Sequence, residues 1–137
     1  MKYISTYFSP NRGGADVLIG FINRCNVSID AAVYCITHDG ICDALIAAHK
    51  RGVAVKVITD KIREAKIPLV LGGTAWRSSM HNKFVIGDSS AVGTGSFNWT
   101  KSADKRNNEN FVIIRLSYVV REFQKEFDSL WSKLCKE

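Results

Sequence analysis

The segment His81-Asn82-Lys83-Phe84-Val85-Ile86-Gly87-Asp88 sets an imidazole, an ammonium and a carboxylate at fixed intervals, in the form H-x-K-x4-D. Side chains alternate faces along a strand, so this spacing sends His81 and Lys83 to one face and Asn82, Phe84 and Ile86 to the other. A group that can attack or relay protons then meets a cation that can hold an anion. With three histidines, 11 lysines and eight aspartates in 137 residues, a shuffled chain would show the pattern roughly once in seventy. The pattern therefore needs partners, and the next thirty residues supply them. Ala91–Thr100 carries glycines at 93 and 95 that let backbone approach a ligand closely. Ser96 and Asn98, two apart, offer a hydroxyl and an amide to the same phosphate oxygens. Glu109, within Asn107-Asn108-Glu109-Asn110, adds a carboxylate. An imidazole, an ammonium, an amide and a carboxylate can bind a phosphodiester, attack it and stabilise its transition state without a metal. No carboxylate cluster suggests a Mg²⁺ site, so neither metal nor cofactor is expected.

The elements that must position these residues read as an alternation of strands and helices. Tyr3–Phe8 is β-branched and aromatic, and Ala15–Arg24 has apolar residues at helical spacing. Ser28–Cys35 reads as a second strand and Asp39–Arg51 as a helix, with Gly52 where a helix terminator belongs. Val53–Thr59 is the clearest buried strand. From Lys61 to Ser79 a charged stretch, Pro68, Leu69–Leu71 and Gly72-Gly73 suggest a surface excursion before the chain returns to the sheet. Lys83–Ile86, Ala91–Gly95 and Phe111–Leu116 follow as strands. A final helix from about Tyr118 to Leu134 shows one apolar face, at Val119, Val120, Phe123, Phe127, Leu130, Trp131 and Leu134. The βαβαβ order at the front predicts an α/β fold with a mixed central β-sheet flanked by helices on both faces.

Length and composition set the bounds. At 137 residues, with 46% hydrophobic and 23% charged residues, the chain is expected to form one domain over 1–137 with a real core. The formal net charge of +6 favours an anionic partner, nucleic acid or a phospholipid surface. No apolar run reaches the roughly 18–20 residues of a spanning helix, and the first residues lack the apolar stretch of a secretory signal. A cytoplasmic location and no membrane partner are expected. Cys25, Cys35, Cys42 and Cys135 form no C-x-x-C pair and are expected as reduced, buried thiols. Cys35, His38 and Cys42 have the makings of a metal site but lack a fourth ligand.

HNKFVIGD followed by GTGSFNWTKSADKRNNENFVI resembles the signature of the phospholipase D superfamily, specifically its small single-motif bacterial endonuclease branch, the Nuc-type nucleases. The likeness is dense from His81 to about Ile114, and length and element order extend it over most of the chain. Larger phospholipases of the superfamily carry H-x-K twice, whereas this chain carries it once. The family chemistry uses two histidines, so the resemblance implies a homodimer in which two His81 side chains share one site. One would form a covalent phosphohistidine while the other protonates the leaving oxygen and then activates water. The resemblance further implies that Lys83 and Asn98 hold the phosphoryl oxygens, that Ser96 assists, and that Glu109 hydrogen-bonds the far imidazole nitrogen. Asp88 is implied to be structural.

The implied activity is a metal-independent phosphodiesterase, a nonspecific endonuclease acting on DNA or RNA, since nothing resembles a groove-reading helix or zinc module. A lipid phosphodiesterase of phospholipase D type and a non-catalytic nucleic-acid-binding module are the alternatives. An inhibitor or targeting protein is a further partner to consider. His38 and His49 read as satisfied structural histidines, and Trp131 as core. Lys101, Lys105 and Arg106 are either a solvated face or contacts to a polynucleotide backbone. Trp76 and Trp99 are either core or stacking surfaces for bases.

Overall fold

In a computed structural model, which describes residues 2–63, 67–72 and 78–136, the apolar periodicities resolve into two layers of helix on one sheet. The chain runs β1 (Ile4–Phe8), α1 (Gly14–Arg24), β2 (Ser28–Val33), β3 (Cys35–Ile36), α2 (Asp39–Lys50) and β4 (Ala54–Thr59). It continues through β5 (Lys61–Ile62), β6 (Leu69–Leu71), β7 (Lys83–Gly87), β8 (Ala91–Gly95), α3 (Lys101–Lys105), β9 (Asn110–Ile114) and α4 (Ser117–Cys135). Seven strands form the main sheet in the order β1-β9-β8-β7-β2-β4-β6. β2, β4 and β6 run parallel, and the pairings of β7, β8, β9 and β1 are antiparallel. This is the expected α/β fold with a mixed sheet covered on both faces.

The period-two alternation of the strands divides the core. Ile29, Ala31, Val33, Val55, Val57 and Val85 face α1 and α2, where Leu18, Phe21, Ile22, Ile41 and Leu45 are buried against them. Ala32, Ile58, Phe84, Ile86 and Val92 face α4, whose Val120 and Phe127 are buried and whose Val119, Phe123, Leu130, Trp131 and Leu134 pack around them. Burying a Leu, Ile or Phe contributes about 1.5–3 kcal/mol each, so both layers hold the sheet rigid beneath whatever its strand ends carry. α4 is also fastened by a polar contact, Gln124 Nε2 donating to Asp30 Oδ2 at 2.8 Å. Burial raises the Asp30 carboxyl above its ordinary range despite that hydrogen bond and the nearby Lys56 ammonium.

Three expectations need correction. The run Ser28–Cys35 is two strands, broken at Tyr34, because the Tyr34 carbonyl accepts from Thr59 Oγ1 and from the backbone N–H of Asp60 and Lys61. Those three donors draw β3 out of the main sheet to pair with β5. Within 61–79 the chain rejoins the sheet at β6, which pairs parallel with β4, matching Val57 with Leu69 and Thr59 with Leu71, while 64–66 and 73–77 lie outside the described residues. Pro68 precedes β6 at the sheet edge, where a missing N–H costs no ladder bond. The expectation of buried thiols holds for Cys25 and Cys42, but Cys35 is half-buried and Cys135 exposed.

Candidate active site

His81 and Asn82 precede β7, so the strand begins at Lys83 and not at the histidine. The two side chains meet nonetheless. Lys83 Nζ lies 2.8 Å from His81 Nδ1, 3.4 Å from Nε2 and 2.8 Å from the His81 carbonyl oxygen. An ammonium has only donors, so in any contact with the ring Lys83 donates and an unprotonated ring nitrogen accepts, the choice between Nδ1 and Nε2 following the tautomer. Burial lowers the Lys83 pKa below its ordinary value, opposed by the negative charge of Glu109. Desolvation of a cation at a strand end is relieved by an anion, which is what a phosphate-holding lysine requires.

Asn98 and Glu109 reach this end of the sheet along the neighbouring strands. β8 pairs with β7 through Phe84–Thr94 and with β9 through Gly95–Phe111. A methyl group at Gly95 would land on the Asn110 carbonyl and Phe111 Cα, so only glycine lets β8 lie this close to β9. Ser96 then closes the pair: its N–H donates to the Asn110 carbonyl at 2.9 Å and its hydroxyl accepts from the Asn110 N–H at 3.1 Å. Asn98 Oδ1 accepts from the Cys35 N–H at 3.2 Å, which leaves its amide nitrogen as the donor. Glu109 is half-buried; its N–H donates to Ser9 Oγ, its carbonyl accepts from the Ser9 N–H, and its Oε2 accepts from Asn107 Nδ2 at 3.2 Å.

The structure therefore brings Lys83 onto His81 and sets the charge of Glu109 near enough to act on Lys83. Within the single chain, the Glu109 carboxylate bonds Asn107 and not the His81 ring, so the implied Glu109 contact to the imidazole is not made there. Asp88 lies at the other end of β7, where its carboxylate accepts from the N–H groups of Asn26, Val27 and Ser28 at 2.7–3.1 Å. Burial pushes this carboxyl up, but those backbone donors and the Arg51 guanidinium outweigh it and hold its pKa below the ordinary value. Asp88 thus ties the far end of β7 to the residues that lead into β2.

The other sequence candidates separate clearly. His38 caps α2, its Nδ1 accepting from the Ile41 N–H at 3.3 Å, with Nε2 3.9 Å from the buried Asp104. Trp99 is 2% exposed and belongs to the core, which removes it as a stacking surface. Trp131 packs in the α4 layer with Lys56 Nζ 5.2 Å from its ring centre. Trp76 lies outside the described residues. Lys101, Lys105 and Arg106 are exposed on and just after α3, a helix of five residues too short to announce itself by periodicity. Among the described residues no group of three His, Cys, Asp or Glu side chains could hold a metal ion, and none of the helices is long and apolar enough to cross a membrane. Sequence reasoning missed Tyr34 and Ser9. Ser9 is buried and braces Glu109 from just past the end of β1, and no motif marks it.

Comparison with known proteins places this arrangement. Residues 18–131 match the family described as "Cardiolipin synthase, PLD-like domain". The chain belongs to the phospholipase D superfamily. It is 34% identical over 125 residues to a mitochondrial cardiolipin hydrolase of Chlamydomonas reinhardtii, covering 82% of this chain and 55% of that protein. It is 36% identical over 123 residues to a phospholipase D of Rickettsia prowazekii, covering 81% of this chain and 59% of that protein. This chain thus spans little more than half the length of either relative. Among solved structures it resembles the phospholipase D family member Nuc of Salmonella typhimurium, with a TM-score of 0.83, 29% identity, and 94% and 93% of the two chains covered. The Nuc-type branch expected from the motif is supported over nearly the whole chain.

Proposed function

We propose that this chain is a phosphodiesterase whose substrate is nucleic acid, cleaved internally with little regard for sequence and without a metal. The observation that carries the reading is the Lys83 ammonium seated on the His81 imidazole at an open strand end, with the Asn98 amide fixed beside the same sheet end. In the proposed mechanism a homodimer contributes two His81 side chains. A neutral imidazole attacks phosphorus through a ring nitrogen, the P–O bond to the leaving group breaks, and the departing oxygen takes a proton from the second, protonated imidazole. That second ring, now neutral, removes a proton from water as the water attacks the phosphohistidine; the P–N bond breaks and the first ring is restored. Lys83 and Asn98 donate to the phosphoryl oxygens, where negative charge develops. The two imidazoles titrate as a coupled pair, so a pH optimum reports the pair and neither ring alone.

The net charge of +6 and the likeness to Nuc over 94% of this chain support a polynucleotide. A lipid diester is the second reading. The relatives named as a cardiolipin hydrolase and a phospholipase D are, at 34% and 36%, more similar in sequence than Nuc at 29%. The deciding experiment incubates purified protein, in EDTA, with plasmid, single-stranded DNA and cardiolipin vesicles, beside His81→Ala in the same salt. Cleavage of DNA by the wild type alone is expected. Release of phosphatidate with DNA left intact would transfer the assignment to lipid.

A further inference from the structure

β2 ends at Val33 and β3 begins at Cys35, and Tyr34, between them, meets the His81-Lys83 segment through both its ring and its backbone. Its ring centre lies 4.7 Å from that of His81, with the planes at 44°, and Lys83 Nζ lies 5.7 Å from the same ring. Its backbone N–H donates to the carbonyl of Asn82, the residue between His81 and Lys83, at 2.8 Å. Its carbonyl takes the three donors from Thr59, Asp60 and Lys61 that end the strand. The next residue, Cys35, gives its N–H to Asn98 Oδ1. Two consecutive residues thus tie the His81-Lys83 segment to the Asn98 segment through backbone bonds.

The ring has work that the backbone does not do. His81 is exposed and precedes β7, so no strand ladder fixes its side chain. An exposed side chain without packing samples several staggered rotamers, and a catalytic imidazole loses most of its rate when misplaced by even about 1 Å. The Tyr34 ring is half-buried on a backbone held by four hydrogen bonds, and its π face attracts the adjacent ammonium. The Tyr34 hydroxyl has no hydrogen-bond partner among the described residues, so the aromatic face is the part in use.

We infer that Tyr34 is the positioning residue of this site, its ring selecting the His81 rotamer that brings the imidazole against Lys83. The inference rests on reading His81 and Lys83 as catalytic, and two readouts keep the two ideas apart. The first needs no turnover: three-bond couplings in isotopically labelled protein report whether the His81 side chain holds one rotamer, with resonances assigned against His81→Asn. Wild type and Tyr34→Phe are expected to show a single rotamer and Tyr34→Leu an average of several. Tyr34→Met, an unbranched side chain, replaces Tyr34→Leu if the latter fails to fold. The second readout is hydrolysis of bis(p-nitrophenyl) phosphate. Tyr34→Leu is expected to lower kcat about tenfold with KM changed less than twofold, and Tyr34→Phe to restore the wild-type rate. A single His81 rotamer in the leucine or methionine variant, or averaging already present in the wild type, overturns the inference. Rotamer averaging in a protein that hydrolyses no diester would overturn the functional reading and leave Tyr34 as the residue that orders the ring.

Discussion

The two ends of β7 carry the same motif and do opposite things with it. At the Gly87-Asp88 end every oxygen of the carboxylate is taken by backbone N–H groups of Asn26, Val27 and Ser28. At the His81-Lys83 end the polar groups touch one another, and His81 is exposed. One end has its hydrogen bonds satisfied internally and serves the fold. The other holds a cation whose desolvation no neighbouring carboxylate fully offsets, and in the proposed function it serves an incoming anion. A charged side chain that the backbone satisfies contributes stability; one left to be satisfied by substrate contributes rate.

Substitutions at the site end should separate rate from stability. His81→Asn is expected to lower kcat by about 10⁴-fold or more, because in the proposed mechanism nucleophile and proton relay are lost from both chains of a dimer together. Its melting temperature should stay within about 2 °C of wild type, since an exposed side chain contributes little to the fold. A wild-type rate in that variant would end the assignment. Lys83→Ala is expected to lower kcat about 10²–10³-fold, as for loss of one donor to a developing oxyanion. KM should also rise, because the charge acts on bound substrate as well. A change in KM alone would place Lys83 outside the reacting centre.

A third change attacks the sheet that holds both ends in register. Gly95→Ala drives a methyl into the Asn110 carbonyl, and the β8–β9 pairing that places Ser96, Asn98 and Glu109 must open. A loss of about 2–3 kcal/mol is expected, typical of forcing an extra group into a packed site, and denaturant unfolding measures it directly. Activity should fall together with stability, in contrast to His81→Asn.

The same contrast explains what could be read from the sequence. As candidates, His81, Lys83, Asn98 and Glu109 stand out in the sequence because few residue types can do phosphoryl chemistry at a motif's spacing, and Asp88 because the motif sets its distance from His81. The layers were legible where periodicity is long, as in α4 and in the alternation of β2 and β7. Tyr34 was not. SIDAAVYC reads as an unbroken β run, and the break comes from donors at Thr59, Asp60 and Lys61, some 25 residues further on. β6 was hidden for a related reason: three residues between Pro68 and Gly72 show no period, and only pairing with β4 makes them a strand. The Glu109 contact to Asn107 and Ser9 likewise depends on where β1 and β9 meet, which local pattern does not encode.

The smallest expected effect lies at the opposite end of β7. Asp88→Asn keeps the shape of the side chain and suits the left-handed backbone at φ 52°, which asparagine tolerates better than most residues. It removes only the charge that three backbone N–H groups face. The loss should be about 1 kcal/mol, below the usual range for hydrogen bonds to a charged acceptor because the site is partly solvated and the asparagine oxygen still accepts. The pH dependence identifies the cause. The folded carboxyl titrates below the ordinary aspartate value, so its stabilisation is fully present above about pH 4 and is lost as pH falls through the depressed folded value. Wild type and Asp88→Asn should therefore differ most in melting temperature at pH 6–7 and converge toward pH 2. kcat at neutral pH should stay within about threefold of wild type. A difference that persists undiminished at pH 2 would mean that the asparagine disturbs the turn itself. A large loss of kcat with stability intact would mean that the two ends of β7 are not divided between fold and chemistry.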